Sequence, residues 1–394
     1  MLLLEVGDAA ASNPDLANMK ADFYSKALAY LGYDVVGMGE WEVRFIKESG
    51  RAMPYGDSIP MICANVVDSS TGKPLAPKPY IVKKTPSGLK VGIISVVGQT
   101  LVMPEVQKNL AIRIIPPAEV LRQYVGELRE KCDLVVLLSH TQREAARQLA
   151  MEVPGFDIVL GGHFSYQAVD TPERLGEAIF MHTKLGGTHV GKLALDINAD
   201  RKIASFAGEY APMSKEIEGD PEMTKLVAQL DADIAQYFSR PPTERAPALP
   251  PQPDQRREPQ PFVSALKCRE CHVEEYDSWS RTAHAKAFAS VTKDNCANNP
   301  ECLSCHATGF KPKGGFKPPV ATVQLEGVQC EACHGPGVAH VRRPGKGYGA
   351  VLQSSCTQCH SPAKSPDFNF KAYKSRIAHS KQKTGSRSSA TGKD

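Results

Sequence analysis

The chain has no apolar run approaching the roughly 18 residues that a membrane-spanning helix needs. It also lacks a dominant charge: 47 Lys and Arg stand against 43 Asp and Glu, a formal net charge of +4. That balance gives no footing for nucleic-acid binding, which a strongly basic chain would suggest. Cysteine is nearly missing from the first 260 residues, where only Cys63 and Cys132 occur. Methionine is missing after Met223, which removes one class of metal ligand from everything beyond it. The start MLLLEVGD reads as a buried strand and lacks the basic opening and cleavage site of a secretory signal.

What is present changes character part-way along. Residues 1–238 alternate apolar runs (LLLEVG, KVGIISVVG, DLVVLLSH, FDIVLGG) with helical periodicity at Asp15–Leu31, Pro117–Cys132 and Pro221–Phe238. Alternation of this kind predicts a layered α/β domain. Residues 239–260 are rich in proline and charge, have almost nothing to bury, and read as a stiff linker. Residues 261–380 show little periodicity beyond short helices, and 381–394 read as a disordered polar tail.

The other nine cysteines lie between Cys268 and Cys359, and eight of them fall into four Cys-x-x-Cys-His pentads. These are Cys268, Cys271 and His272; Cys302, Cys305 and His306; Cys330, Cys333 and His334; Cys356, Cys359 and His360. Two thiols on one helical turn can reach the two vinyl groups of one haem. The histidine that follows then lies under the iron as its proximal ligand. Zinc knuckles or disulfides would not need a histidine directly after the second cysteine every time. The pattern therefore predicts four covalently bound c-type haems. So small a domain must use them as its core, which brings them close enough for electron hopping. Their propionates would make the loaded chain less basic than its sequence. Covalent attachment takes place outside the cytoplasm, so a periplasmic or extracellular location is expected, with a signal peptide upstream of Met1. Cys296 stands outside the pentads and is expected to be free or disulfide-bonded.

Three further histidines, His284, His340 and His379, are candidate distal ligands. His340 follows His334 by six residues, about 20 Å at full extension, too short to round a porphyrin comfortably, so another haem is the better destination. His379 is far enough from His360 to serve the same haem. Three histidines cannot complete four irons. One iron is left open, or takes a lysine, a distant histidine or a ligand from a partner chain.

The stretches CRECHVEEYDSWSRTAHAKAF, CLSCHATGF, GVQCEACHGPGVAH and CTQCHSPAKSPDFNFKAYKSRIAH, within 261–379, resemble the tetrahaem cytochrome c family of ammonia oxidation and its relatives. The resemblance implies crossed ligation. His340 would serve the first haem, His284 the third and His379 the fourth, leaving the second, on His306, without a histidine. Redox proteins, or further copies of the chain, are the expected partners.

The earlier pieces LLLEVGD, LGYDVVGMGEWE, LVVLLSH and FDIVLGGHFS resemble the calcineurin-like metallophosphoesterases, in their 5′-nucleotidase branch. Active members hold two metals, which bind a phosphate and activate water. The resemblance makes Asp8 the bridging aspartate and His140 and His163 ligands. Three departures damage the set. Glu40 stands for the family's asparagine, Trp41 for its catalytic histidine and Ser165 for its last histidine. The family's Asp-x-His would precede Met1. Asp8, Glu40, His140 and His163 remain candidates for one divalent metal, or polar remnants at strand ends; His182 and His189 match no family ligand. The expectation is an electron-transfer protein with a multihaem, mostly helical or coil domain and a metallophosphoesterase-like domain that serves as scaffold or docking surface. A haem enzyme acting on a small nitrogen or oxygen species at one open iron is the alternative.

Overall fold

The computed structural model describes residues 1–9, 16–53, 55, 59–163, 171–183, 187–214, 216–240, 262–293, 296–310, 325–345, 348–362 and 364–379. The chain divides into two compact units, one centred on Met1–Gln236 and the other on Asp254–Asp394. Most of the expected linker and all of the expected tail lie outside the described residues.

The first unit opens with β1 (Leu4–Glu5), α1 (Ala17–Tyr30), β2 (Val35–Gly37), α2 (Glu40–Ser49), β3 (Met61–Ile62) and β4 (Val66–Asp68). Then come β5 (Tyr80–Lys84), β6 (Lys90–Val97), α3 (Pro104–Asn109), β7 (Ile112–Ile114), α4 (Pro117–Lys131), β8 (Leu134–His140) and α5 (Arg143–Glu152). It continues through β9 (Ile158–Gly162), β10 (Glu173–Leu175), β11 (Ala178–His182), β12 (His189–Ile197), β13 (Ile203–Pro212) and α6 (Pro221–Ser239). A six-stranded sheet runs β10-β11-β9-β8-β6-β5, and a three-stranded sheet runs β1-β2-β3. β11, β9, β8 and β6 are mutually parallel, with β10 and β5 antiparallel at the edges. β4 pairs with β7, and β12 with β13 in a long hairpin.

The unbroken apolar run of β8 has a direct cause. Val135 and Leu137 enter the cluster that includes Leu121 and Leu128 of α4 and Leu149 of α5. Leu134, Val136 and Leu138 enter the opposite cluster, with Val6, Val35 and Ile62. A parallel strand covered on both faces needs apolar residues at every position. α4 begins with a proline at its first turn and ends with Arg129 and Lys131, suited to the two ends of a helix. It lies so close to β6 that a Cβ on Gly92 would stand 2.9 Å from the sulfur of Cys132, so glycine is needed there.

Register brings the strand ends into line. Val97 pairs with His140, His140 with Gly162, and Gly161 with His182. The carboxyl ends of the parallel strands thus finish on one edge, where α/β sheets place their ligands. β1 and β2 are also parallel; the turn after β1 carries Asp8, and the helix that follows β2 opens with Glu40.

The second unit contains, among its described residues, α7 (Ala265–Arg269), α8 (Val273–Ser280), α9 (Ala287–Lys293), α10 (Pro300–His306), α11 (Cys330–His334), α12 (Val338–Arg342), α13 (Gln353–Thr357) and α14 (Phe370–Ile377). None exceeds eight residues. Among its described residues a small buried apolar cluster gathers Leu303, Ala307 and Leu325, with Phe262, Phe288 and Phe310 packed around them. Side-chain caps stand in for a core at two helix starts: Asn299 accepts from the amide of Glu301, and Asn369 from that of Ala372. Among the described residues no helix is long and apolar enough to cross a membrane.

Candidate haem centres and a residual metal cluster

Each pentad lies on or beside a short helix, so one turn presents both thiols and the histidine together. None of the eleven cysteines is disulfide-bonded. The thiols of Cys268 and Cys330 are in hydrogen-bonding contact, as are those of Cys305 and Cys359. The first pentad therefore adjoins the third, and the second adjoins the fourth. Cys296 forms no disulfide, and its thiol is in contact with Cys302.

The histidines meet in three pairs. Ring centroids are 6.2 Å apart for His272 and His340, with planes inclined at 27°. They are 6.1 Å apart at 60° for His284 and His360, and 6.4 Å apart at 20° for His334 and His379. A metal–imidazole bond is about 2 Å long, so two imidazoles gripping one iron from opposite faces have centroids about 6 Å apart. The three pairs thus leave room for one iron each. Among the described residues no second histidine ring is paired with His306.

Second partners fix the tautomers. Nδ1 of His334 lies 2.6 Å from the carbonyl of Gly349, and Nδ1 of His306 lies 2.7 Å from the carbonyl of Ala287. A carbonyl only accepts, so Nδ1 carries the proton and Nε2 keeps the lone pair that a metal needs. Gly349 is at φ 74°, and a Cβ there would press within 2.8 Å of His334, so only glycine admits this bond without strain. Nδ1 of His360 meets the Ser365 hydroxyl at 2.9 Å. Aromatic rings add further support: Tyr348 stacks on His340 at 4.4 Å and Phe368 on His360 at 5.0 Å.

Two of the ring pairs differ from the implied pairings. His340 faces His272, as the resemblance implied, but His284 faces His360, not His334, and His379 faces His334, not His360. Between His360 and His379 the chain passes through α14. Tyr373, within it, touches the edge of His360 at 5.5 Å. From Tyr373 the last four residues of the helix carry the chain roughly 6 Å further along its axis, and His379, two residues beyond, meets His334.

In the first unit, Asp8, Glu40, His140 and His163 converge, with one ligand atom from each lying within 4.8 Å of the others. Glu40 bridges the two imidazoles, 2.7 Å to Nε2 of His140 and 3.1 Å to Nδ1 of His163. Asp8 stands 3.5 Å from Nε2 of His140 and accepts the backbone N–H of Trp41 at 2.8 Å. Asp8 (φ 61°) and His163 (φ 75°) both occupy the left-handed region without being glycine, a strain that clusters at functional sites. Burial opposes charge on His140, but the hydrogen bonds and charges of Asp8 and Glu40 outweigh it and lift the imidazole to about 10. Burial likewise resists charge on Glu40, yet its two histidine partners hold the carboxyl well below its usual range. Glu42, which the sequence reading passed over, is fully buried and accepts the amides of Asp8 (2.9 Å) and Gly39 (2.8 Å), bracing both ligand loops. Burial and the charge of Asp8 push its carboxyl up to about 7.

Trp41 packs its ring on Phe45 at 5.1 Å, and an indole there has no acid–base role. His182 turns Nδ1 to the carbonyl of Thr183 at 2.9 Å, and His189 turns to the Thr188 hydroxyl at 3.0 Å; neither joins the cluster. Ser165 lies outside the described residues.

The geometry and thiols define a class: a c-type cytochrome region joined to an α/β calcineurin-like phosphoesterase fold. More particularly, residues 267–335 match the family model of cytochrome c554 and c-prime, a family that implies covalently bound haem c. Cytochrome c-554 of Nitrosomonas europaea is 38% identical over 92 residues, which are 20% of this chain and 39% of the relative. The 2′,3′-cyclic-nucleotide 2′-phosphodiesterase/3′-nucleotidase of Salmonella typhimurium is 28% identical over 257 residues, 55% of this chain and 39% of the relative. The chain thus spans about two fifths of each of these curated relatives. The structure of a 5′-nucleotidase precursor from Thermus thermophilus superposes with a TM-score of 0.51 at 21% identity, over 61% of this chain and 50% of that one, a likeness of fold.

Proposed function

We propose that the chain is an exported tetrahaem electron carrier. Eight pentad thiols hold four haems, with His272, His306, His334 and His360 as proximal ligands. His340, His379 and His284 are the distal ligands on the first, third and fourth haems. The observation that carries this reading is the coincidence of four pentads with three ring pairs 6.1–6.4 Å apart. The haems, when bound, supply one-electron chemistry. The chain attaches them, orients the axial imidazoles through Nδ1 bonds, and brings neighbouring attachment helices into contact. Export follows from the site of haem attachment, and the partners are redox proteins or further copies of the chain. Asp8, Glu40, His140 and His163 hold at most one divalent metal, and the first unit serves as scaffold or docking surface. Intact-mass measurement on protein matured in its native compartment tests the count. Four haem additions are expected, and three or fewer on a fully matured chain would sink the claim.

A second reading has one observation in its favour: among the described residues, His306 has no histidine partner. An iron there with one strong protein ligand could bind a small nitrogen or oxygen species and act on it. Electron paramagnetic resonance of the oxidised protein distinguishes the two. A high-spin ferric signal from one haem in four supports an open centre, and its absence at full loading leaves the carrier reading alone.

A further inference from the structure

Glu331 lies between the two cysteines of the third pentad, yet its carboxylate turns away from that motif. It is 3% exposed, among the most buried charged residues of the second unit. Its oxygens accept the amides of Val263 (3.0 Å), Ser264 (2.8 Å) and Gly337 (2.6 Å). All three partners are donors, the arrangement a carboxylate requires.

Two of these donors stand at helix starts. Ser264 is the N-cap of α7, which carries Cys268 and leads directly to His272; Gly337 is the N-cap of α12, which carries His340. Ser264 sits at φ 72°, a conformation that needs outside support. Gln329, just before the same pentad, adds a bond of 2.6 Å from the amide of Ala265. On the other side, Tyr348 bonds the carbonyl of Gly335 and stacks on His340, closing the turn that bears that ligand. One buried anion therefore ties together the two segments whose imidazoles face each other at 6.2 Å.

We propose that Glu331, in the attachment motif of the third haem, is the positioning residue for the axial pair of the first. It sets the separation and inclination of His272 and His340, and its buried negative charge favours the oxidised state of the iron between them. This rests on reading those two histidines as one axial pair.

The test uses the full matured chain. Glu331→Gln keeps the shape and removes the charge. It should raise the midpoint of one haem until its reduced-to-oxidised ratio at fixed poise grows about tenfold, equivalent to about 59 mV for one electron. The low-spin resonance of that haem should shift or broaden, with haem content unchanged. Gly337→Ala keeps the charge but places a Cβ 3.1 Å from the carboxylate oxygen, so it should disturb the same resonance with a smaller change in midpoint. His340→Ala identifies the resonance. If it leaves every low-spin signal intact, the ligand reading has failed. If it removes one signal that Glu331→Gln leaves unchanged in both resonance and midpoint, the role of Glu331 is refuted and the ligand reading stands. Should the Glu331 variant not mature, amide exchange on the wild-type holoprotein decides. The amides of Val263, Ser264 and Gly337 should be among the slowest in 262–340, and rapid exchange at them would overturn the proposal.

Discussion

The two units solve the problem of a folded interior in opposite ways. The first fills both faces of a central sheet with Val, Ile and Leu, and its strand β8 has no exposed residue. Among its described residues, the second buries a cluster of three small or apolar residues under a few aromatic rings. The first unit can reach its fold from its side chains alone, whereas the second, on the reading above, needs its prosthetic groups as a core. The same contrast separates their chemistry. In the first unit the strand ends gather Asp8, Glu40, His140 and His163, and a tryptophan, Trp41, stands beside them. In the second, four Cys-x-x-Cys-His motifs are complete, and on the reading above little fold would exist without the groups they hold.

The largest effect that could break this comparison is loss of haem. Chain produced without haem attachment should keep protease and amide-exchange protection in 1–240 and lose it across 262–379. Many small metallo-domains behave this way, unfolded without the metal and folded with it. Equal protection of the second unit in matured and unmatured chain would show that its few buried side chains suffice.

Next comes phosphatase activity. Trp41 cannot supply the proton transfer that general acid–base catalysis contributes, typically worth about 10² to 10⁴ in rate. Loss of a metal costs more. Hydrolysis of nucleotide phosphoesters, with manganese added, should fall far below the roughly 10 per second of an ordinary enzyme. Turnover near that rate would mean that the first unit is an enzyme in its own right.

These two expectations also mark what was legible in the sequence. Strands β6, β8 and β9 stood out because parallel strands covered on both faces need continuous apolar runs. The short strands β3, β4, β7 and β10 did not, since two or three residues carry no period. Pentad spacing marked eight thiols and four histidines as candidates, since covalent attachment would fix that spacing locally, and each motif lies on or beside a short helix. The choice between His284 and His379 for two centres was not local. It depends on how the intervening segments fold, and in the structure His284 faces His360 and His379 faces His334, unlike the implied assignment. Glu331 was invisible for a related reason: it occupies a position the pentad leaves free, and its three partners come from segments far away in the sequence or across a turn.

A core truncation should separate the units again, at a scale of a few kcal/mol. Leu137 is fully buried in β8 against α4 and α5. Leu137→Ala should destabilise the first unit by about 2–5 kcal/mol. The haem spectra and midpoints should stay where they are. Calorimetry or denaturant titration followed by haem absorbance and by far-ultraviolet dichroism would see two transitions, only one of them displaced. Displacement of both together would mean that the units unfold as one.

The smallest effect concerns whether the cluster of Asp8, Glu40, His140 and His163 binds a metal, and its sign can be worked out from His140. With no metal, the partners of this buried imidazole raise it from an ordinary 6.5 to about 10, so it is a cation at neutral pH. A group raised in the folded state stabilises the fold fully below its unfolded value and loses that contribution as pH rises through the folded one. The stabilisation from His140 should therefore fade between about 6.5 and about 10. A metal needs the lone pair that the proton occupies, so binding must expel a proton. Metal affinity should then rise about tenfold per pH unit and level off near 10. At a hundredfold excess over the dissociation constant, a bound metal stabilises by about 2.7 kcal/mol. The expected result is a manganese-dependent rise in the melting temperature of the first unit that grows with pH and disappears in Glu40→Gln, which loses an anionic bridge between the two histidines. Melting that is indifferent to manganese at every pH would mean that Asp8, Glu40, His140 and His163 are held together by their own hydrogen bonds. The contrast between the units would then be complete, one keeping its metals and the other only the geometry that once held them.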